Sequence, residues 1–141
     1  MGQPRRMRRV VIAYAPRAAT TRWIHEELVG EPYKVVVVPT FDILVSRLAE
    51  RVDQIAIIDF DATMEDDIAA LLSIRDTSWT GELIALGRID IELRMMLRVR
   101  EMFMRPLGSE RLRTALQKLA FDASTIPISG METTSEMPPF R

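Results

Sequence analysis

Residues 55–59 read Ile-Ala-Ile-Ile-Asp, an unbroken apolar run that ends on a carboxylate. A second run, four consecutive valines, occupies residues 35–38. Neither run alternates apolar with polar residues, and this pattern is typical of strands covered by helices on both faces. A carboxylate at the carboxyl end of such a strand lies where open α/β sheets place their chemistry. The two runs therefore predict a parallel sheet with Asp59 at its functional edge.

Five apolar runs alternate with five helical patterns along the chain. The predicted strands are 10–14, 33–38, 55–58, 82–86 and 102–104. The predicted helices begin near Thr20 or Thr21, Thr40, Thr63 (with Asp66 at capping-box spacing), Asp90 and Ser109. Strands that alternate with helices of ~10 to 15 residues indicate right-handed βαβ units. The sequence thus predicts an α/β fold of five βα units, most simply a doubly wound, flavodoxin-like parallel sheet of order 2-1-3-4-5.

Length and composition favour a single globular domain. The chain has 141 residues, 48% of them hydrophobic and 28% charged, with a formal net charge of −1. That charge gives no bulk attraction to nucleic acid or membranes. The absence of cysteine excludes disulfides and thiolate metal sites, and it favours a cytoplasmic protein. We expect a basic flexible leader at 1–8, a folded domain at 9–121 and a flexible tail or linker at 122–141.

Common catalytic and cofactor-binding motifs are absent from the sequence. There is no Gly-x-Ser-x-Gly nucleophile elbow, no dinucleotide-binding glycine pattern and no P-loop lysine motif. His25 is the only histidine, and no acidic cluster stands near it at metal-ligand spacing. The sequence therefore predicts a protein that is not an enzyme and has no cofactor and no metal site.

The order of the predicted elements, with Asp59 after the third strand and Arg105-Pro106 after the fifth, resembles the receiver domain of two-component response regulators. The resemblance covers 9–121 and implies a CheY-like fold with Asp59 in the phosphoacceptor position. Arg105-Pro106 matches the family's Lys-Pro, whose proline is usually cis.

The switch positions of the family are filled by different residue types here. Receivers carry two acidic magnesium ligands after the first strand, where this chain has Tyr14 and Ala15. The family's Ser or Thr after the fourth strand is Gly87, and its lysine is Arg105. The segment from Gly87 to Arg105 is also short, so we expect an abbreviated fourth helix or loop.

These differences weaken the case for phosphoryl transfer at Asp59. Magnesium is usually held by one or two carboxylates, and Asp59 alone is a poor site. We do not expect Asp61, two residues further on, to aim its carboxylate at the same point. Arg17 and Arg105 offer fixed positive charge instead, and Arg105 is placed to pair with Asp59.

The sequence thus predicts a degenerate receiver, or pseudo-receiver, which is a non-catalytic regulatory module acting through protein contacts. Such domains often stand at the amino terminus of bacterial transcriptional or motility regulators, so a C-terminal effector domain in a longer chain is one expectation. Two alternatives stay open. One is a phosphorylatable receiver, and the other is the receiver-like wing domain of a pyridoxal-phosphate-dependent decarboxylase.

In receivers, the fourth and fifth helices and the strand between them form the usual surface for dimers and partners. The interface candidates on this part of the chain are Arg94, Met95, Arg98, Val99, Glu101, Leu107 and Arg111. We expect a homodimer or another signalling protein to bind there, with no membrane and no nucleic acid as partner. A charged surface that binds only water is the alternative, because exposed ion pairs contribute little.

Overall fold

A computed structural model describes residues 9–119. The strands are β1 Arg9–Tyr14, β2 Tyr33–Val38, β3 Ile55–Asp59, β4 Leu83–Leu86 and β5 Val99–Phe103. The helices are α1 Ala18–Leu28, α2 Phe41–Glu50, α3 Glu65–Thr77, α4 Ile91–Leu97 and α5 at 111–119, with a 3-10 turn at Phe60–Ala62. All neighbouring strands pair in parallel in the order 2-1-3-4-5, which confirms the predicted fold. The predicted leader and tail lie outside the described residues.

The sheet separates two apolar layers, because successive side chains of each strand point to opposite faces. On one face, Ile55 and Ile57 pack with buried residues of α1 and α5. On the other, Ala56 and Ile58 pack with buried residues of α2, α3 and α4. Every residue of β3 and β4 is fully buried, which is why neither strand shows an alternating sequence pattern. Burying each Ile or Leu contributes about 1.5–3 kcal/mol.

The predicted fifth strand at 102–104 starts too late, since β5 runs from Val99 to Phe103. Helix α4 ends at Leu97, and Arg98 follows it in the left-handed conformation with φ 55°. This single residue reverses the chain so that β5 begins at once. Strand β5 is an edge strand and carries exposed Arg100. Its first residues therefore do not form an apolar run, and the sequence pattern does not indicate where the strand starts. Helix α4 has seven residues, in agreement with the expected shortening.

Two of the five predicted helix starts are confirmed, at Thr40 and Asp90, and the other three differ, beginning with that of α1. The Thr40 hydroxyl and the Asp90 carboxylate accept backbone N–H bonds at the starts of α2 and α4. At α1 the N-cap is Arg17, which makes no side-chain cap bond. Thr20 is buried inside the helix, and the Thr21 hydroxyl donates to the Ala15 carbonyl. The loop after β1 is shorter than predicted, so the helix begins before either threonine.

The capping box predicted at Thr63 and Asp66 does not form, and only the bond from the N-cap N–H to a carboxylate is present, one residue further along. The Met64 N–H donates to Asp67 Oδ2 at 3.0 Å, with Met64 as the N-cap of α3. Thr63 belongs to the preceding 3-10 turn, because its hydroxyl donates to the Phe60 carbonyl at 2.9 Å. The turn therefore delays the start of the helix.

Helix α5 begins at residue 111, two residues after the predicted start at Ser109. Its first N–H groups are capped by Glu27 of α1, a buried residue far away in sequence. Glu27 Oε2 accepts from Glu110 N at 2.8 Å, and Oε1 accepts from Leu112 N and Arg113 N at 2.9 and 3.2 Å. Glu110 lies at φ 67°. The cap of α5 is thus a tertiary contact between two helices.

Candidate functional site

Four loops meet at the carboxyl edge of the sheet around Asp59. Asp59 ends β3 and pairs in the register with Leu86 at the end of β4, and the preceding residue Ile58 pairs with Tyr14 at the end of β1. The loop after β5 brings Arg105 to the same point. The Asp59 side chain has no exposed surface. A buried carboxylate requires compensation by donors or cations, and the surrounding loops supply both.

Arg105 pairs with Asp59, as expected. Its Nη2 lies 3.0 Å from Asp59 Oδ2 and its Nη1 lies 3.4 Å from Oδ1, so the two groups face each other through both atoms. Arg105 Nη2 also donates to the Thr20 hydroxyl at 2.9 Å. Thr20, predicted as a helix cap, instead fixes the orientation of this guanidinium. The Arg105–Pro106 peptide is cis, in line with the resemblance to receivers.

Arg17 supplies a second guanidinium from the N-cap of α1. Its Nη2 lies 3.1 Å from Asp59 Oδ2 and 3.3 Å from Oδ1. The Arg17 side chain is 51% exposed and the Arg105 side chain 28%, so both cations reach the buried carboxylate from the solvent side. Asp59 Oδ1 also accepts the backbone N–H of Asp61 at 3.1 Å. Both oxygens of Asp59 therefore accept from cationic donors.

The expectation that Asp61 points elsewhere is wrong. Asp61 Oδ2 lies 2.6 Å from Arg105 Nη1 and 3.8 Å from Arg17 Nη2, so it shares both guanidiniums with Asp59. The 3-10 turn explains the difference. The bond from Asp61 N to Asp59 Oδ1 folds the chain back and brings the second carboxylate beside the first. Two acids and two arginines form a formally neutral cluster, the arginine–aspartate cluster.

Gly87 lies directly against the Asp61 carboxylate. It lies at φ +95°, a conformation that favours glycine. A Cβ added at Gly87 would lie 2.7 Å from the carboxyl carbon and from both carboxylate oxygens of Asp61. The Asp61 carboxylate thus occupies the space that any side chain at position 87 would need.

Tyr14 and Ala15 bring no carboxylate to the edge. The Tyr14 hydroxyl donates to the Ala62 carbonyl at 3.4 Å, and its ring packs edge-on against Phe41 with 5.2 Å between centroids. Burial raises the pKa of Tyr14, with smaller contributions from the negative charges of Asp67 and Asp59. The phenol therefore stays neutral, and Ala15 is buried.

The residues at this edge do not fit a magnesium ion. Magnesium takes an octahedron of oxygen ligands, whereas the carboxylates of Asp59 and Asp61 already accept short bonds from Arg105. A dication beside them would also lie next to the Arg17 and Arg105 charges and be repelled by both. Within residues 9–119, no group of three or more acidic or histidine side chains could hold a metal ion.

The interface candidates do not all lie on one surface. Met95 is 70% exposed on α4. Glu101 and Arg111 line one groove between β5 and α5. Leu107 lies on the α1 side instead, in a recess of about 610 Å³ shared with Trp23.

The remaining interface candidates are partly buried or make hydrogen bonds within the domain. Val99 is half-buried against the layer of α2, α3 and α4. Arg98 donates from Nη2 to the Arg75 carbonyl at 2.8 Å, and Arg94 is only partly exposed.

Among residues 9–119, no helix has the length and apolar character needed to cross a membrane.

Solved structures of bacterial signalling proteins share this fold. The receiver domain of an HD domain-containing protein from Pseudomonas fluorescens Pf-5 is 18% identical, with a TM-score of 0.66 over 83% of this chain and 98% of that chain. A CheY-like receiver domain from Methylobacillus flagellatus is 14% identical, with a TM-score of 0.64 over 79% and 98%. NtrX from Brucella abortus, solved in complex with ADP, is 14% identical, with a TM-score of 0.61 over 89% of this chain and 31% of NtrX.

No protein-family model matches the chain, and no curated protein matches its sequence. The structural similarities, all at low identity, define the fold of the chain as that of response-regulator receiver domains. The fold predicted from the resemblance is therefore confirmed.

Proposed function

We propose that this protein is a pseudo-receiver, a receiver-fold regulatory module that works through protein contacts without phosphorylation of Asp59. One observation carries the proposal, which is that two guanidiniums hold the buried Asp59 carboxylate. In this view, the fixed charges of Arg17 and Arg105 replace the changeable charge of a metal and a phosphoryl group.

The hydrogen bonds that the two Asp59 carboxylate oxygens already accept support this proposal. A carboxylate that accepts a phosphoryl group must present a free oxygen in line with the donor, and its site must neutralise the charge on the transferred group. Here Oδ1 and Oδ2 both accept bonds from Arg17 and Arg105. The positive charges are engaged by Asp59 and Asp61, so little is left to stabilise an incoming phosphate dianion.

A module without a chemical switch acts by presenting a surface. We assign that role to the α4–β5–α5 face, defined by Arg94, Met95, Arg98, Val99, Glu101 and Arg111. Exposed Met95 and Ile91, one helical turn apart on α4, supply apolar area, and the arginines supply charge. The occupant is a second copy of this chain or another signalling protein. Leu107 is left out because it lies towards α1.

The similarity to NtrX supports a further part of the proposal. The matched region is 31% of that protein. A receiver-fold domain of this kind is thus found within a longer chain. We propose that this domain likewise acts on an effector domain carried by a longer protein.

Incubation with magnesium and a small phosphodonor such as acetyl phosphate tests the proposed function. We expect no gain in mass from a phosphoryl group, and no saturable NMR shifts at Tyr14, Asp59 or Gly87 when beryllofluoride and magnesium are added. A receiver that carries the acidic pair, treated with the same reagents, serves as the positive control.

The variant Asp59→Asn is the matched negative control. A phosphoryl adduct on the unaltered chain that disappears in Asp59→Asn would overturn the proposal. The phosphorylatable receiver would then be the correct alternative.

A further inference from the structure

The Asp61 carboxylate lies in a site whose other parts suit a free oxyanion. Arg105 Nη1 donates to Asp61 Oδ2 at 2.6 Å, the shortest of the contacts within the arginine–aspartate cluster. Arg17 Nη2 lies 3.8 Å from the same oxygen. Guanidinium groups bind carboxylates and phosphates through the same donor geometry. The guanidinium donors that hold Asp61 would therefore also donate to a phosphate oxygen.

The lack of a side chain at Gly87 provides room for an oxyanion beside the two arginines. Gly87 has no side chain, and the Asp61 carboxylate fills the room this leaves, with its carbon and both oxygens 2.7 Å from where a Cβ would lie. Asp61 is 40% exposed, whereas Asp59 beneath it has no exposed side-chain surface. The site thus opens to solvent on the side of Asp61, and Asp59 lies at its closed end.

The charge balance shows what Asp61 contributes. Arg17 and Arg105 carry two positive charges, which Asp59 and Asp61 neutralise. Without Asp61 the cluster would carry one net positive charge, and Arg105 Nη1 would lose its shortest bond. The Arg105 side chain is only 28% exposed, so an unpaired donor on it is left with a desolvation cost, which a small anion offsets.

We propose that Asp61 is an internal ligand that occupies, from within the chain, an oxyanion site built by Arg17, Arg105 and Gly87. The site takes tetrahedral oxyanions of the phosphate class when Asp61 is removed. The inference rests on the proposed function and deepens it, because an occupied site explains how the module can hold one state without a phosphoryl group. Asp61 is thus a positioning residue for the two arginines.

Titration of inorganic phosphate into Asp61→Ala, in EDTA and at constant ionic strength, tests this inference. We expect saturable NMR shifts at Gly87 and Arg105 and a rise in melting temperature, with a dissociation constant at least about tenfold lower than for the unaltered chain. Asp61→Asn keeps the side-chain volume and loses the charge, so it should remain a weak binder. The double variant Asp61→Ala with Arg105→Gln should lose the gained affinity.

The inference is overturned if folded Asp61→Ala binds phosphate no better than the unaltered chain, or if Asp61→Asn binds as tightly as Asp61→Ala. Asp61→Ser, also small and uncharged, gives the same test if the alanine variant does not fold. This titration contains neither magnesium nor a phosphodonor. Its failure is therefore distinct from a failure of the proposed function, which is scored by acylation of Asp59 in the unaltered chain.

Discussion

At the scale of single residues, the stability of Asp59 depends on its two arginine partners. Burying an unpaired carboxylate costs several kcal/mol, and well-placed cations with further hydrogen bonds offset that cost. The Asp59 side chain is 0% exposed, and its partners Arg17 and Arg105 are 51% and 28% exposed. The arginines can regain hydration if the pair is broken, whereas Asp59 cannot. Asp59 is therefore the most sensitive member of the cluster.

Replacement of this carboxylate should destabilise the fold. We expect Asp59→Asn to lower the free energy of unfolding by about 2–3 kcal/mol, less than the ~3–5 kcal/mol for a fully buried pair, because both arginines remain partly hydrated. Urea unfolding measures the change as a lower midpoint with an unaltered slope.

Asp76→Asn on the exposed side of α3 is the matched control, and its effect should stay within about 0.5 kcal/mol. The structural account of Asp59 is wrong if Asp59→Asn melts like the unaltered protein and yet abolishes the biological response. A phosphorylatable aspartate would behave in that way.

At the scale of elements, two buried charged residues join helices to one another. Glu27 ties α1 to the start of α5 through three backbone N–H groups. These groups would otherwise lack partners, because the first four N–H groups of a helix have none within it. The negative charge also lies at the positive end of the helix dipole.

Arg75 of α3 likewise joins two helices, because it binds backbone carbonyls at the end of α4. Its guanidinium donates to the carbonyls of Leu97 and Arg98 at 2.7 and 3.2 Å, and to that of Gly81 at 2.5 Å. It also lies 4.0 Å from the ring centroid of Trp79. Burial lowers the pKa of Arg75 to about 10. The end of α4 is thus fixed to α3, which suits a surface that is presented in one conformation.

The neighbouring acids Glu26 and Glu27 allow a matched test of the contact between α1 and α5. We expect Glu27→Gln to lower the free energy of unfolding by about 1–3 kcal/mol, because one carboxylate oxygen becomes an amide that faces an N–H donor. Hydrogen exchange at Leu112 and Arg113 should become faster than in the unaltered chain.

Glu26→Gln should leave both measurements unchanged, because the Glu26 side chain is exposed and only its carbonyl meets Arg113. Equal unfolding midpoints for the two variants would contradict the assigned cap.

At the scale of the whole molecule, the proposed function requires association through the α4–β5–α5 face. Its charged residues contribute little as single exposed pairs, so the exposed apolar residues Ile91 and Met95 must supply most of the affinity. The arginines then decide which partner binds and how fast.

Charge reversal tests this face. We expect Arg94→Glu or Arg111→Glu to weaken self-association or partner binding, and more so at low salt, where ion pairs are least screened. Sedimentation at a chain concentration of about 100 μM reports the homodimer through mass action. Arg51→Glu, exposed at the end of α2, is the control and should leave association unchanged.

A chain that stays monomeric at that concentration and binds no signalling partner through this surface would remove the face from consideration. A dimer that is indifferent to both reversals would do the same.

The sequence by itself determined the sheet, its strand order and the position of Asp59. Strand β3 and the caps at Thr40 and Asp90 were predictable because apolar runs and capping residues act between residues close in sequence. The pairing of Arg105 with Asp59 was predicted from the resemblance to receivers, in which a lysine stands at the position of Arg105. The start of β5 was missed because the polar residues of this edge strand face water.

Only the tertiary structure decided where Asp61 points, what caps α5 and what satisfies Arg75. Asp61 meets Arg105 from 44 residues away, and Glu27 meets the N–H of Glu110 from 83. Such contacts depend on the dihedral angles of turns, such as the 3-10 turn after Asp59 and the left-handed residues Arg98 and Glu110. A periodic pattern specifies which face of an element is buried, but the direction of a loop side chain is set by the packed elements that meet around it.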